Sequence, residues 1–366
     1  MAVLKDQVDA ALGRRLAAEL FAAWPAFPRR RFTSGLAGAL EPLELLARVG
    51  ELADRLSRTL PDAFPAAAEV LWRCLDSPSF TGWMTVPCST LVARQGLDEP
   101  ELALPLLAGL TPRWSSEWAI RPFIARHHAL TYEHLRRWSA DDDEHVRRLV
   151  SEGTRPRLPW APRLGALVAD PTPNLPLLDA LADDPSPYVR RSVANHLNDI
   201  SKDHPALAHE LSRSWLSRDG AAWTARHGLR TLIKRGDPEA LELAGVTIDA
   251  DVRLVELSVE RDRVPVGDTA AFTVTLELAA GAGGPQAADV VVDYRVHYMG
   301  ARGMKAPRVF KLARRRLQPG RPVTIRREHP FDHVSIRRIH PGLHGIDIQV
   351  NGRVLGSDAV EITPAR

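Results

Sequence analysis

Val146-Arg147-Arg148-Leu149-Val150-Ser151-Glu152-Gly153 and Val189-Arg190-Arg191-Ser192-Val193-Ala194-Asn195-His196 begin 43 residues apart. Each follows an acidic, turn-prone segment: Asp141-Asp142-Asp143-Glu144 before the first and Asp183-Asp184-Pro185-Ser186-Pro187 before the second. A third helical run, Trp223-Thr-Ala-Arg-His-Gly-Leu-Arg-Thr-Leu-Ile-Lys234, follows after a shorter step. A recurring unit of this length has room for two helices, and neither helix can bury its apolar face without the next unit. Trp and Asn stand beside the charges of these units, which an ordinary solvated helix face does not need.

Outward from this core, apolar residues recur at helical spacing from Leu4 to about Ala244, as in Leu43-Glu-Leu-Leu-Ala-Arg-Val-Gly-Glu-Leu-Ala-Asp-Arg-Leu56. Prolines such as Pro61, Pro65, Pro112, Pro171, Pro185 and Pro187 mark the joints. From Val252 the period becomes two, in Ala271-Phe-Thr-Val-Thr-Leu-Glu-Leu, in Val290-Val-Val-Asp-Tyr-Arg-Val-His-Tyr and in Gly345-Ile-Asp-Ile-Gln-Val. Asn351-Gly352 between two alternating runs is a strong hairpin signal. The expected architecture is an α-helical HEAT-like solenoid over residues 1–248, followed by an immunoglobulin-like sandwich of about seven strands over residues 249–366. The change of period implies a separate core for each, so a chain ending near Ile248 is expected to fold alone.

The chain has 366 residues, of which 45% are hydrophobic, enough for two domains with real cores. No apolar run reaches the roughly 18 to 20 residues of a membrane span, and no secretory pattern opens the chain. A monomeric cytoplasmic protein acting on the bacterial nucleoid, with no membrane contact, is expected. Cys74 and Cys88 form no CxxC pair, and the 13 His are scattered apart from His127-His128, so neither metal nor cofactor is expected. Charge is uneven: residues 251–366 carry 18 basic and 13 acidic side chains, net +5, against 30 and 32, net −2, before them. Residues 302–338 alone hold 12 basic and 2 acidic side chains, a composition that points to a polyanion.

Several blocks together resemble the AlkC branch of the AlkC/AlkD DNA glycosylases. They are Trp24-Pro-Ala-Phe-Pro28, Ser116-Glu-Trp-Ala-Ile-Arg-Pro-Phe123, Val146 to Trp160, Asp183 to Lys202 and Arg226 to Lys234. A basic immunoglobulin-like domain after the helical repeats is similar to the subfamily that carries this module. Trp118 stands where that family usually has Phe, and His196 where Asn is frequent. The resemblance implies hydrolysis of the N-glycosidic bond of cationic alkylated bases, 3-methyladenine and 3-methylcytosine, in duplex DNA. It also implies a lesion read with little or no extrusion of the nucleotide. A non-catalytic HEAT-repeat scaffold that binds DNA or a protein is the alternative, and it would tolerate replacement of the acids named next.

The resemblance points to Glu117, Glu152 and Asp199 as the residues near the lesion. A base alkylated at N3 is cationic and leaves without protonation, so what needs stabilising is the oxocarbenium-like charge on the sugar, which carboxylates suit. Glu152 and Asp199 are assigned to that charge and to the water, with Glu117 supporting them. Helical spacing places Glu117 with Arg121, Arg148 with Glu152, and Arg191 with Asn195 and Asp199 on common stripes. Trp160, after Pro159 in an expected first helical turn, offers an indole face to a sugar or cationic base. Arg226, Arg230 and Lys234, spaced by four, read as a basic stripe for phosphates, joined by Arg155 and Arg157 from a loop. In the terminal domain, Arg302 and Lys305 lie in a glycine-rich loop suited to a DNA groove.

Overall fold

The structure is a computed structural model that describes residues 4–280, 286–334 and 337–365. It divides into two compact units, Met1–Asp203 with Ser217–Thr224, and His204–Leu216 with Ala225–Arg366.

The first unit is helical, and its caps are written into the sequence. Asp9 accepts from Leu12 N at the start of helix Ala10–Ala23, Asp143 from His145 N at Glu144–Gly153, and Ser186 from Tyr188 N at Pro187–Ile200. Each such cap contributes about 1 kcal/mol. Proline opens Pro187–Ile200, Phe64–Cys74 and Pro100–Leu110, where a missing N–H costs nothing. Helices Glu144–Gly153 and Pro187–Ile200 lie side by side, burying Leu149, Val150, Val189 and Val193 completely, roughly 1.5 to 3 kcal/mol apiece. Gly153 is required there, since a Cβ on it would stand 2.6 Å from Ile120 Cγ2.

Polar links between neighbouring helices repeat the period seen in the sequence. Tyr132 Oη donates to Asn174 Oδ1 at 2.5 Å, Ser151 Oγ to Ser192 Oγ at 2.6 Å, and Thr224 Oγ1 to Ala182 O at 2.8 Å. They span 42, 41 and 42 residues, close to the 43-residue step in the sequence, so each link joins near-equivalent positions of successive units.

Among the described residues the second unit has ten strands: β1 (Val252–Val259), β2 (Arg263–Pro265), β3 (Thr269–Leu278), β4 (Ala288–His297), β5 (Met299–Gly300), β6 (Gly303–Met304), β7 (Arg308–Leu317), β8 (Val323–Pro330), β9 (Gly342–Val350) and β10 (Arg353–Thr363). One sheet runs β1-β3-β8 and the other β2-β10-β9-β4-β7, with β5 and β6 a separate hairpin. The alternation in β3 buries Ala270, Phe272, Val274, Leu276 and Leu278 against Val290, Val292, Tyr294 and Val296 of β4, the core of a sandwich. Asn351 and Gly352 both take positive φ, 48° and 81°, between Val350 and Arg353, the primed turn that their identity demands.

Strand structure begins where the period changes, but the compact units divide earlier. Helices Arg230–Arg235 and Pro238–Leu243 belong with the sandwich: Gln349 Nε2 donates to Lys234 O at 2.8 Å and Asn351 Nδ2 to Thr247 O at 3.1 Å. Leu241, Ala244 and Val246 pack with Ile233 and with Val291 of β4. The helical period alone does not reveal that these helices cover a sheet.

Candidate functional site

Arg121 opens the short helix Arg121–Arg126 and fixes the loop that follows Glu144–Gly153. Its Nη1 donates to Gly153 O at 2.9 Å and to Arg155 O at 2.8 Å, and its Nη2 to Pro162 O at 2.7 Å. It is 4% exposed, and burial, with Arg155 beside it, pushes its pKa down to about 10. A guanidinium used in this way cannot reach a phosphate, which corrects the expectation that Arg121 contacts DNA and pairs with Glu117. What the loop delivers is Trp160, 58% exposed and held at φ +62° in a turn. The expected helical first turn is therefore absent, and the next helix starts only at Gly165. The indole stacks beside Trp118, centroids 6.5 Å apart at 28°, and Trp118 Nε1 donates to Pro159 O at 3.4 Å.

Behind these rings runs a row of alternating charges. Arg148 donates to Glu117 Oε2 and lies 3.5 Å from Glu152 Oε1. Arg155 donates from Nη1 to Glu152 Oε1 at 2.6 Å and from Nε to Asp199 Oδ2 at 2.9 Å. Lys202 Nζ closes the row on Asp199 Oδ1 at 2.9 Å. Ser192 Oγ donates to Glu152 Oε2 at 2.6 Å, and the Arg148 guanidinium sits 5.2 Å over the Tyr188 ring. Burial alone would raise the Glu152 pKa, but Arg148 and Arg155, with the Ser192 hydroxyl, hold it below the usual carboxylate range. Glu152 is therefore an anion at neutral pH.

A cavity of about 370 Å³ opens on this row. Trp83, Trp114, Trp118 and Trp160 line it with Tyr188, Glu117, Arg148 and Glu152. Trp83 and Trp114 form a second aromatic pair, centroids 5.6 Å apart. Four of the chain's nine Trp thus meet at one site, and Trp114 is 45% exposed. Trp83, Trp114 and Tyr188 were missed as site residues, because a 3-10 turn, a loop and the first turn of helix Pro187–Ile200, far apart in sequence, carry them. Their only sequence signal is a large aromatic beside Gly82, Pro112 or Pro187 at a helix joint.

The stripe of Arg191, Asn195 and Asp199 spreads across the helix: Arg191 is exposed, Asn195 half-buried, and Asp199 1% exposed and outside the cavity lining. Arg155 is likewise buried between two carboxylates and does not face solvent as the phosphate reading required. Arg157 is held by Asp203 through two bonds of 2.9 and 2.8 Å. Arg226, Arg230 and Lys234 do not form one stripe, since Ala222–Gly228 and Arg230–Arg235 are separate helices broken at Leu229. Arg226 is exposed, Arg230 Nη1 donates to His227 O at 2.9 Å, and Lys234 Nζ donates to Val309 O at 3.2 Å. Arg302 and Lys305 are exposed on the β5–β6 hairpin.

Residues 253–364 match the family model described as Uncharacterised protein YhaZ, C-terminal Ig-like domain. Over 359 residues the chain is 32% identical to the uncharacterized protein YhaZ of Bacillus subtilis (strain 168), covering 98% of both. Its structure is similar to that of the Pseudomonas fluorescens alkylpurine DNA glycosylase AlkC bound to DNA containing an abasic site analog. The TM-score is 0.90 at 36% identity, over 99% of this chain and 100% of that one. Likeness of this extent, through both the helical region and the sandwich, places the chain in the AlkC family, in the branch with a C-terminal immunoglobulin-like domain.

Proposed function

We propose that the protein is a monofunctional DNA glycosylase that excises cationic alkylated bases, 3-methyladenine and 3-methylcytosine, from duplex DNA as a cytoplasmic monomer. The observation that carries this reading is the opening of two ion-paired carboxylates, Glu117 and Glu152, onto a tryptophan-lined cavity. An electron-rich wall of indoles attracts a cationic base or sugar through its ring faces. Carboxylates already fixed by guanidinium partners need no reorganisation as positive charge grows on C1′.

In the reaction, the C1′–N bond breaks with both electrons going to the ring nitrogen, and the cationic base departs neutral. Water adds to C1′ and gives its proton to a carboxylate. Burial favours Glu117 and Glu152 for the sugar-facing roles, while Asp199 positions Arg155, a division of labour different from the one expected on sequence. Lys202 is engaged by Asp199, which favours water over an amine as the nucleophile. Exposed indoles at the rim suit a lesion approached without extrusion of its nucleotide.

The test is release of free base from methylated genomic DNA, with products identified by mass. Release of 3-methyladenine is expected. Duplex binding without release of any base would leave a non-catalytic DNA-binding protein in its place.

A further inference from the structure

We propose that the groove between helix Ala10–Ala23 and helix Arg29–Thr33 is a second surface for duplex DNA, built to hold backbone phosphates. It shares no residue with the tryptophan-lined cavity. The groove encloses about 760 Å³, and Arg14, Arg29, Arg30 and Arg31 line it with no carboxylate among them. All four are exposed, and none has an ion-pair partner among the described residues. Other arginines of the same unit, such as Arg15, Arg136 and Arg191, also lack a carboxylate partner among the described residues, but they do not line one groove together. Four unpaired guanidinium groups converge here although the first 250 residues are net acidic, so this is a local concentration of positive field.

The arginines sit on fixed backbone. Phe27 and Phe32, both buried with ring centroids 5.6 Å apart, anchor the two ends of the Arg29–Arg31 run. Arg55 Nη1 clamps its far end by donating to Phe32 O at 2.8 Å and to Ser34 O at 2.7 Å. Guanidinium forks on an ordered backbone match phosphate oxygens at lower entropic cost than a mobile tail would. Phe21 bears on whether the nucleic acid is single-stranded or paired. Single-stranded nucleic acid needs open aromatic faces for its bases, but the Arg29 guanidinium already lies 5.1 Å over the Phe21 ring. That leaves charge without a stacking platform, which suits a paired duplex presenting only phosphates.

The proposal rests on the glycosylase reading only for the identity of the polyanion, so it is tested on undamaged duplex with the full-length protein. The triple variant Arg14→Gln, Arg29→Gln, Arg30→Gln should bind long undamaged duplex about ten-fold more weakly at ~0.1 M salt. Its slope of log affinity against log salt should fall by about 2 to 3, near 0.9 for each lost phosphate contact. The matching Lys variant keeps the charge and should retain slope and affinity within about three-fold. Unchanged slope and affinity in the Gln variant would overturn the proposal, as would an equal loss in the Lys variant, which would signal damaged packing. Tight polyglutamate binding that is lost in the Gln variant, with duplex affinity intact, would overturn it in favour of an acidic protein partner. Excision measured alongside separates the two readings: a changed salt slope with no base release fails only the glycosylase reading, and base release with an unchanged slope fails only this one.

Discussion

Glu152 and Asp199 share one guanidinium, that of Arg155, which binds the first through Nη1 and the second through Nε. All three side chains are buried, so the two acids depend on one cation for their ion pairing. Arg155→Met should cost about 3 to 5 kcal/mol in urea unfolding, the usual effect of stranding buried charge. Adding Asp199→Asn to that variant should recover part of the loss. A loss under about 1 kcal/mol would show that water replaces the guanidinium.

Glu117→Gln and Glu152→Gln keep shape and remove charge at the cavity. Each should raise the excision barrier by about 2 to 4 kcal/mol, a slowing of roughly 30- to 1000-fold in single turnover. Asp199→Asn should slow excision less and destabilise more, since its oxygens face Arg155 and Lys202. Rates within about three-fold of the unaltered protein for both Gln variants would take the two glutamates out of the chemistry.

Trp160 occupies left-handed backbone that costs a non-glycine residue about 1 kcal/mol. Trp160→Gly should therefore melt no lower than the unaltered protein while excising about ten-fold more slowly, through loss of the indole face. A fall in melting temperature would mean that the indole supports the fold and leaves the stacking role unsupported.

Burial pushes the His196 and His329 imidazoles down to about 4. Unfolding returns both to about 6.5, so the unfolded chain binds more protons, and stability falls as pH drops from about 6.5 to about 4. Each shift amounts to about 3 kcal/mol. In the sandwich unit Asp293 works the other way: burial pushes it up to about 6, so between about 4 and 6 the folded chain holds the extra proton. The two shifts in that unit largely offset one another, whereas in the helical unit the lowered Glu152 adds to the acid loss. His196→Asn should flatten the acid limb of unfolding free energy against pH, and Asp293→Asn should steepen it. An unaltered acid limb in His196→Asn would rule out His196 as its source.

Truncation after Ile248 removes the sheet that covers Leu241, Ala244 and Val246. The shortened chain should be cut by protease within residues 229–248, in helices that the full-length protein protects. Equal protection would mean that these helices hold without the sandwich.

Much of this was legible in the residues. The 43-residue step between Val146 and Val189 pointed to the side-by-side helices Glu144–Gly153 and Pro187–Ile200, because a stacked repeat brings corresponding helices together. Asn351-Gly352 specified its turn, since Asn and Gly are among the few residues that accept positive φ cheaply. The directions of the arginines were not legible. Arg121, Arg155 and Arg157 look like Arg191 and Arg226 in sequence, yet the first three are turned onto carbonyls or carboxylates that tertiary packing supplies. Spacing gives the side of a helix, and it does not give the partner that side will meet. The cavity's four tryptophans come from three separate segments of the chain, a convergence that no local period encodes.

The row from Glu117 to Lys202 contains three acids and three bases in alternation. Beyond a Debye length, about 8 Å in physiological salt, such a row has almost no net field, so the carboxylates do not repel the phosphates of an approaching duplex. Within contact distance the cancellation fails, and a cation that touches Glu117 or Glu152 meets that single charge before its neighbours. The row is thus electrically quiet toward a polyanion at long range and acidic toward a sugar at short range, with distance as the filter.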